Sequence, residues 1–159
     1  MDATADADTV LEITRVFDAP RELIFRLWTD PQHFGKWIGP RHHPAVHVEM
    51  DVRPGGAWRA CLRPVAGGVD LWQGGQYREV VAPERLVYTF AWDKEHPAHG
   101  HETLVTVIFA EDGNRTKMSF RQEFLPSIAE RDGHRGGWSS SFDRLDDLLR
   151  AMRVRGGQA

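Results

Sequence analysis

One cysteine, Cys61, stands in the whole chain, so no intrachain disulfide can form and nothing in the composition asks for an oxidising compartment. A cytoplasmic protein is the expectation. A basic excess is missing as well: 20 Lys and Arg against 23 Asp and Glu leave a formal net charge of -3, which offers a phosphate backbone no attraction. Nucleic acid is therefore not an expected partner. No apolar run approaches the ~18 residues that a membrane span needs. The opening Met1 to Asp8 holds three Asp and no Lys or Arg, so it does not read as a secretory leader. Residues 1–9 read as a flexible tail, and no membrane contact is expected.

Motifs that carry chemistry are equally sparse. No G-x-x-x-x-G-K or G-x-G-x-x-G pattern precedes a helix, which leaves the paired glycines as places where strands bulge or approach closely. Cys61 has no flanking motif, and Ser139-Ser140-Ser141 lacks the G-x-S-x-G elbow of a serine nucleophile. No catalytic residue is assigned. His47, Glu79, Glu102, Arg121 and Glu123 have the chemistry for acid–base work, but charged side chains are seldom buried without a partner, so a salt-bridged or solvent-facing role is expected for each. His96, His99 and His101 lie close together, yet Pro97 and Gly100 break the run, and a zinc site needs ligands in tetrahedral reach. A solvated hairpin loop is the reading, with no metal and no cofactor.

Against these absences stand six Trp, at positions 28, 37, 58, 72, 92 and 138, in a chain that is 41% hydrophobic and 27% charged. That balance suits a folded protein and is too apolar for disorder. The 159 residues fit one domain, which at this size buries about 70% of its unfolded surface. Its expected span is 10–155, with 156–159 as a second flexible tail.

Leu11, Ile13 and Phe17 predict a first strand. Asp18-Ala19-Pro20 then starts a helix with Pro in its first position and Glu22 in its first turn, and Leu23, Ile24, Leu27 and Trp28 form its apolar stripe. Asp30-Pro31 interrupts it, and a second short helix runs from Pro31 to about Trp37. Val46, Val48, Met50 and Val52 alternate with His47, Glu49 and Asp51, the cleanest two-residue period in the chain. Further strands are expected at 58–63, 71–81, 86–92, 102–110 and 117–124, joined by short turn-rich segments in an antiparallel meander. Last, Trp138, Phe142, Leu145, Leu149 and Met152 recur at helical spacing, which predicts a helix from near Gly137 to near Arg153. The order predicts an α+β fold in which this helix crosses one face of a curved antiparallel sheet and leaves a cavity where it does not fill it.

Several segments together carry a resemblance. They are Ile13-Thr14-Arg15-Val16-Phe17-Asp18-Ala19-Pro20-Arg21-Glu22-Leu23, Trp28-Thr29-Asp30-Pro31, Trp37 with Gly39-Pro40, and Asp51-Val52-Arg53-Pro54-Gly55-Gly56-Ala57-Trp58. Gly75-Gln76-Tyr77-Arg78-Glu79-Val80, Pro83-Glu84-Arg85-Leu86-Val87-Tyr88, Glu102-Thr103 with Val105-Thr106-Val107, and Gly136-Gly137-Trp138 complete the set. In order and spacing they resemble the activator of heat shock protein 90 ATPase homologue family of the START-like (SRPBCC) superfamily, from Leu11 to Met152. The resemblance implies a helix-grip (START/Bet v-like) fold with a ligand cavity under the last helix, an architecture shared with lipid-transfer, polyketide-cyclase and pollen-allergen relatives. It does not fix an activity, which depends on the lining of the particular site.

A small apolar or aromatic molecule is accordingly the expected partner, bound without catalysis. The expected ligand-binding residues are Trp37, Trp58, Trp72, Tyr77, Phe120, Trp138, Phe142 and Leu145, with Trp37 at the mouth, Trp28 in the core and Trp92 at the core or the rim. Phe142 is expected beside the empty space, and Leu149 in packed core. A cyclase- or hydrolase-type enzyme using polar residues of the same cavity is one alternative, and a chaperone ATPase-activating module is another. The family takes its name from a co-chaperone whose homologous domain follows another one. Here about ten residues precede the first strand, so the chain is not expected to stimulate such an ATPase.

Overall fold

The structure, a computed structural model, describes residues 7–156. A short 3-10 turn at Ala7–Thr9 leads into β1 (Leu11–Phe17), α1 (Arg21–Thr29) and α2 (Pro31–Phe34). Six more strands follow, β2 (Ala45–Met50), β3 (Ala57–Leu62), β4 (Leu71–Val81), β5 (Arg85–Trp92), β6 (Thr103–Asp112) and β7 (Arg115–Glu123), before the long helix α3 (Ile128–Gly156). All seven strands form one sheet in the order β1-β7-β6-β5-β4-β3-β2, antiparallel throughout. This is the expected α+β helix-grip fold. Among the described residues no helix is long and apolar enough to cross a membrane.

Local chemistry explains most boundaries. Asp30 caps α2 by accepting the Gln32 N–H at 2.9 Å, with Pro31 in the first turn, where its missing N–H costs nothing. Pro20, expected in the first helical position, is the N-cap of α1 in extended geometry, so the helix starts one residue later, at Arg21. In β2 the alternation holds for Val48 and Met50, which pack on the core, but Val46 is exposed because the register slips between Ala45 and His47. Residues 7–9 are a turn and not a tail: the Thr9 carbonyl accepts from Leu125 N–H, and the Ala7 carbonyl from Arg131. Residues 1–6 and 157–159 lie outside the described residues.

The sheet bends where β4 meets β5. Their pairing skips Gly75 and Gln76. A Cβ on Gly75 would stand 1.9 Å from the Thr89 carbonyl oxygen, so only glycine lets the strands come this close. The freed groups find other partners: Gln76 N–H donates to Thr89 Oγ1 at 2.9 Å, and the Thr89 carbonyl accepts the Trp58 indole N–H at 3.0 Å.

Helix α3 covers the concave face with Trp138, Phe142, Leu145 and Leu149, all buried. It begins at Ile128, a full two turns before the expected Gly137. Ser127 caps it, its Oγ accepting the Glu130 N–H at 3.1 Å and its carbonyl the Arg131 N–H. Beneath the second half of the helix the core is solid. Trp28 lies 4.8 Å from Trp37 and 6.2 Å from each of Trp138, Phe142 and Phe109, centroid to centroid. The space left there, beside Trp58, Tyr77 and Tyr88, is about 10 Å³, roughly the room of one water.

Candidate functional site

Space large enough for a ligand opens at the other end of α3. A groove of about 440 Å³ runs between the first turns of the helix, the ends of β3, β4 and β5, and the segment 38–43. Its volume lies within the usual range of ligand sites, roughly 300–1,000 Å³. Leu62, Leu71, Phe90, Trp92, Ile38 and Trp138 give it apolar walls. Gly133, Gly136 and Gly137 supply the helical side. Positions i, i+3 and i+4 share one face, and a Cβ at any of the three would meet nothing within 4 Å. The groove is there partly because three side chains are not.

One polar chain crosses its floor. The Trp92 indole N–H can only donate, so His134 Nε2, 3.1 Å away, is the acceptor and carries no proton. His134 Nδ1 therefore holds the proton and donates to Gln122 Oε1 at 3.0 Å. That oxygen also accepts the Trp138 indole N–H at 3.1 Å, which fixes the orientation of the Gln122 amide. Gln122 Nε2 donates to Thr103 Oγ1 at 2.9 Å, and Thr103 Oγ1 donates to the Phe90 carbonyl at 3.0 Å. The His134 side chain is only 8% exposed. Burial, and next the neighbouring His96, bring its pKa down to about 4, so the ring is neutral at ordinary pH.

The mouth is held by two further arrangements. His96 stacks flat on Trp92, with centroids 4.3 Å apart and planes 7° apart, and its Nδ1 accepts the Ala98 N–H. Across the groove the Arg144 guanidinium donates to the carbonyls of Lys36, Trp37, Ile38 and Gly39 at 2.7–3.2 Å. Arg41 adds two further ties from this loop to α3, its N–H donating to Ser140 Oγ at 3.0 Å and its guanidinium pairing with Asp147 at 2.7 Å.

The sequence profile described as Activator of Hsp90 ATPase homolog 1-like protein matches residues 18–150. The chain belongs to this family. Among solved structures it is similar to a protein from Chromobacterium violaceum, 27% identical with a TM-score of 0.78, over 88% of this chain and 96% of that one. A protein from Mycobacterium smegmatis is 26% identical with a TM-score of 0.77, over 96% of this chain and 98% of that one. The AHSA1 protein of Silicibacter pomeroyi shares the fold at 23% identity, TM-score 0.78, over 90% and 99% of the two chains. No curated protein matches the sequence significantly.

In this activator-homologue chain, the eight side chains expected to bind ligand fall into three places. Trp138 lines the groove. Trp37, Trp58, Tyr77, Phe120, Phe142 and Leu145 are buried in the solid core, each 4% exposed or less; Trp37 is wholly buried and not at a mouth, its indole N–H donating to the Leu27 carbonyl at 2.9 Å. Trp72 is on the wrong face. It pairs with Cys61 across β3 and β4 while Ala60 and Gln73 take the inner positions, so parity points it outward, beneath the Arg59 guanidinium at 4.2 Å. The hollow there, about 840 Å³, is a wide surface dish in which Arg59 pairs with Asp93 and Arg63 with Asp70. Trp92, left between core and rim by its sequence, is a groove wall.

The remaining polar candidates stay outside. His47, Glu79, Glu102, Arg121 and Glu123 form ion pairs on the sheet surface with Glu49, Arg85, Arg78, Glu12 and Arg121. His99 and His101 contact the backbone carbonyls of His96 and Phe124. Gln73 and His134, which line the groove, and Gln122, which bonds to His134 from behind it, were not singled out by sequence. One signal existed: Ser127-Ile128-Ala129-Glu130 has the S-x-x-E spacing of a capping box, which starts the helix early enough to put Gly133 to Gly137 and His134 on it.

Proposed function

We propose that this member of the family binds a small apolar or aromatic molecule in the groove beneath the first turns of α3, without catalysing its conversion. The observation that carries this reading is the groove itself: an opening of ligand size walled by Phe90, Trp92, Trp138, Leu62 and Leu71, where Gly133, Gly136 and Gly137 leave α3 without side chains. The non-catalytic part rests on His134. Its two nitrogens are both engaged, one accepting from Trp92 and one donating to Gln122, so no free lone pair is left to take a proton from a substrate. His96 Nδ1 is likewise engaged by the Ala98 N–H.

Native mass spectrometry of the protein as purified from cells tests the reading, with the expectation of a co-purifying small molecule of low polarity. Its displacement should shift the indole N–H signals of Trp92 and Trp138 and leave that of Trp72 in place. A protein that binds no member of a broad set of aromatic compounds up to millimolar concentration would refute the proposal.

A further inference from the structure

The lining of the groove is uneven in charge. No Lys or Arg is among its residues, whereas Glu130 and Asp132 stand on its helical wall; Asp132 pairs with Arg131 at 3.2 Å, which leaves Glu130, 3.7 Å from the neutral His134, as the carboxylate without a cationic partner. Burial holds the imidazoles of His43 and His96 below their ordinary range, so these rings bring little positive charge near neutral pH. His134 is committed to Trp92 and Gln122. An anion entering the groove leaves water for walls that hold no Lys or Arg to receive it.

Gln73 adds an independent observation. It sits on the inner face of β4 opposite Ala60, is 4% exposed, and lines the groove. Its carboxamide makes no hydrogen bond to another described residue, and its polar atoms are not among those sealed from solvent, so they open onto the groove. An amide held there without a protein partner is free to take one from a ligand. A carboxamide offers an acceptor and a pair of donors in one plane, and its complement is a group with a donor and an acceptor side by side. The neighbouring rings of Phe90, Trp92 and Trp138 supply faces and edges for an aromatic body.

We propose, on the reading that the groove binds a ligand, that this ligand is an uncharged aromatic molecule presenting a hydrogen-bond donor and acceptor side by side to Gln73, and that carboxylate-bearing molecules such as fatty-acid anions are rejected. Gln73 is then the specificity-determining residue. Glu130 sets the charge preference.

Three matched probes test this: naphthalene-2-carboxamide, naphthalene-2-carboxylate and 2-ethylnaphthalene, titrated by calorimetry at pH 7.5 and located by the indole N–H signals of Trp92 and Trp138. The carboxamide is expected to bind at least tenfold more tightly than either of the others. Gln73→Met should erase its advantage over the hydrocarbon. Glu130→Gln, on the first turn of α3, should raise carboxylate affinity several-fold, and it decides the charge preference even if Gln73→Met does not fold. Carboxylate binding as tight as the carboxamide, or a Gln73→Met protein that keeps the carboxamide preference, would overturn the inference. If the hydrocarbon binds and the carboxamide gains nothing, this inference alone fails; if none of the three binds, the ligand-binding reading fails with it.

Discussion

The indole of Trp92 donates to Nε2 of His134 across 3.1 Å, and this bond sets which nitrogen of the neutral ring carries the proton. A protonated imidazole has no acceptor, so charging His134 breaks the bond and leaves the Trp92 N–H facing another donor. The ring must also gain a charge in a place that is 8% exposed.

This gives a pH dependence with a definite sign. The folded pKa of His134 is about 4 against 6.5 as the ordinary value, so between those values the unfolded chain takes up a proton that the folded chain refuses. Stability from this source is complete above pH 6.5 and falls as pH drops toward 4, by on the order of 3 kcal/mol at 1.36 kcal/mol per pH unit. His43 and His96, lowered by burial, add to the fall in the same direction. Urea denaturation at pH 7.5 and 4.5 measures it, and His134→Gln should lose much of the difference. An unchanged profile in that variant would mean that another group is responsible.

Two aromatic truncations separate core from surface. Phe142 is fully buried, 5.4 Å from Phe120, 5.8 Å from Trp138 and 6.2 Å from both Trp28 and Trp37. Expected beside an empty space, it is instead surrounded on every side. Phe142→Ala should therefore cost about 3–5 kcal/mol, the range for a packed phenylalanine. Trp72→Ala removes a ring that covers Arg59 on the outer face and should cost about 0.5–2 kcal/mol. Neither side chain lines the groove, so ligand affinity measured in the folded proteins should be unchanged in both.

The sequence made the sheet legible because alternation and turn residues are local signals: β4 was expected at 71–81 and runs Leu71–Val81. Parity was harder. A strand shows which residues share a face but not which face is inner, and Trp72 was assigned by its size when its neighbours Leu71 and Gln73 hold the inner positions. Val46 failed for a different reason, a bulge at Ala45 to His47 that no pattern of hydrophobicity announces. The groove was misplaced because the helix was expected to begin near Gly137, which left Gly133 and Gly136 outside it. Their low helix propensity is outweighed in the fold by the cap at Ser127 and the packing of the stripe from Trp138 onward.

Those same glycines predict a trade between stability and binding. A methyl group at Gly137 meets nothing within 4 Å, and alanine in a helix interior is favoured over glycine by about 0.5–1 kcal/mol. Gly137→Ala should therefore raise the melting midpoint while narrowing the groove and weakening ligand binding. Gly133→Leu should weaken it further. At Gly75 the sign reverses, because a Cβ there would lie 1.9 Å from the Thr89 carbonyl. Gly75→Ala should destabilise by about 3 kcal/mol or more, through backbone displacement. Thermal melts alongside ligand titrations check all three.

Arg144 joins the helix to the opposite wall, and its removal should loosen the groove without emptying the core. Its guanidinium donates to four successive carbonyls, Lys36 to Gly39, at the end of α2, where the helix leaves carbonyls unpaired and its dipole favours a cation. Burial, and next the nearby Arg41, lower its pKa from the usual arginine value. Hydrogen bonds to a charged donor contribute about 1.5–3 kcal/mol, so Arg144→Met, which keeps the apolar stem, should cost about that much stability. The local effect should be larger. Ile38, Gly39 and Pro40 form one side of the groove, and without the guanidinium the amides of Ile38, Gly39 and the neighbouring non-proline residues should exchange faster while β6 and β7 stay protected. Ligand affinity should fall with them. Arg144→Lys should not restore it, because a single ammonium cannot span carbonyls that a planar, five-donor group reaches together. Hydrogen exchange at 36–43 in the two variants decides this: full rescue by lysine would show that the charge, and not the fork, holds the loop.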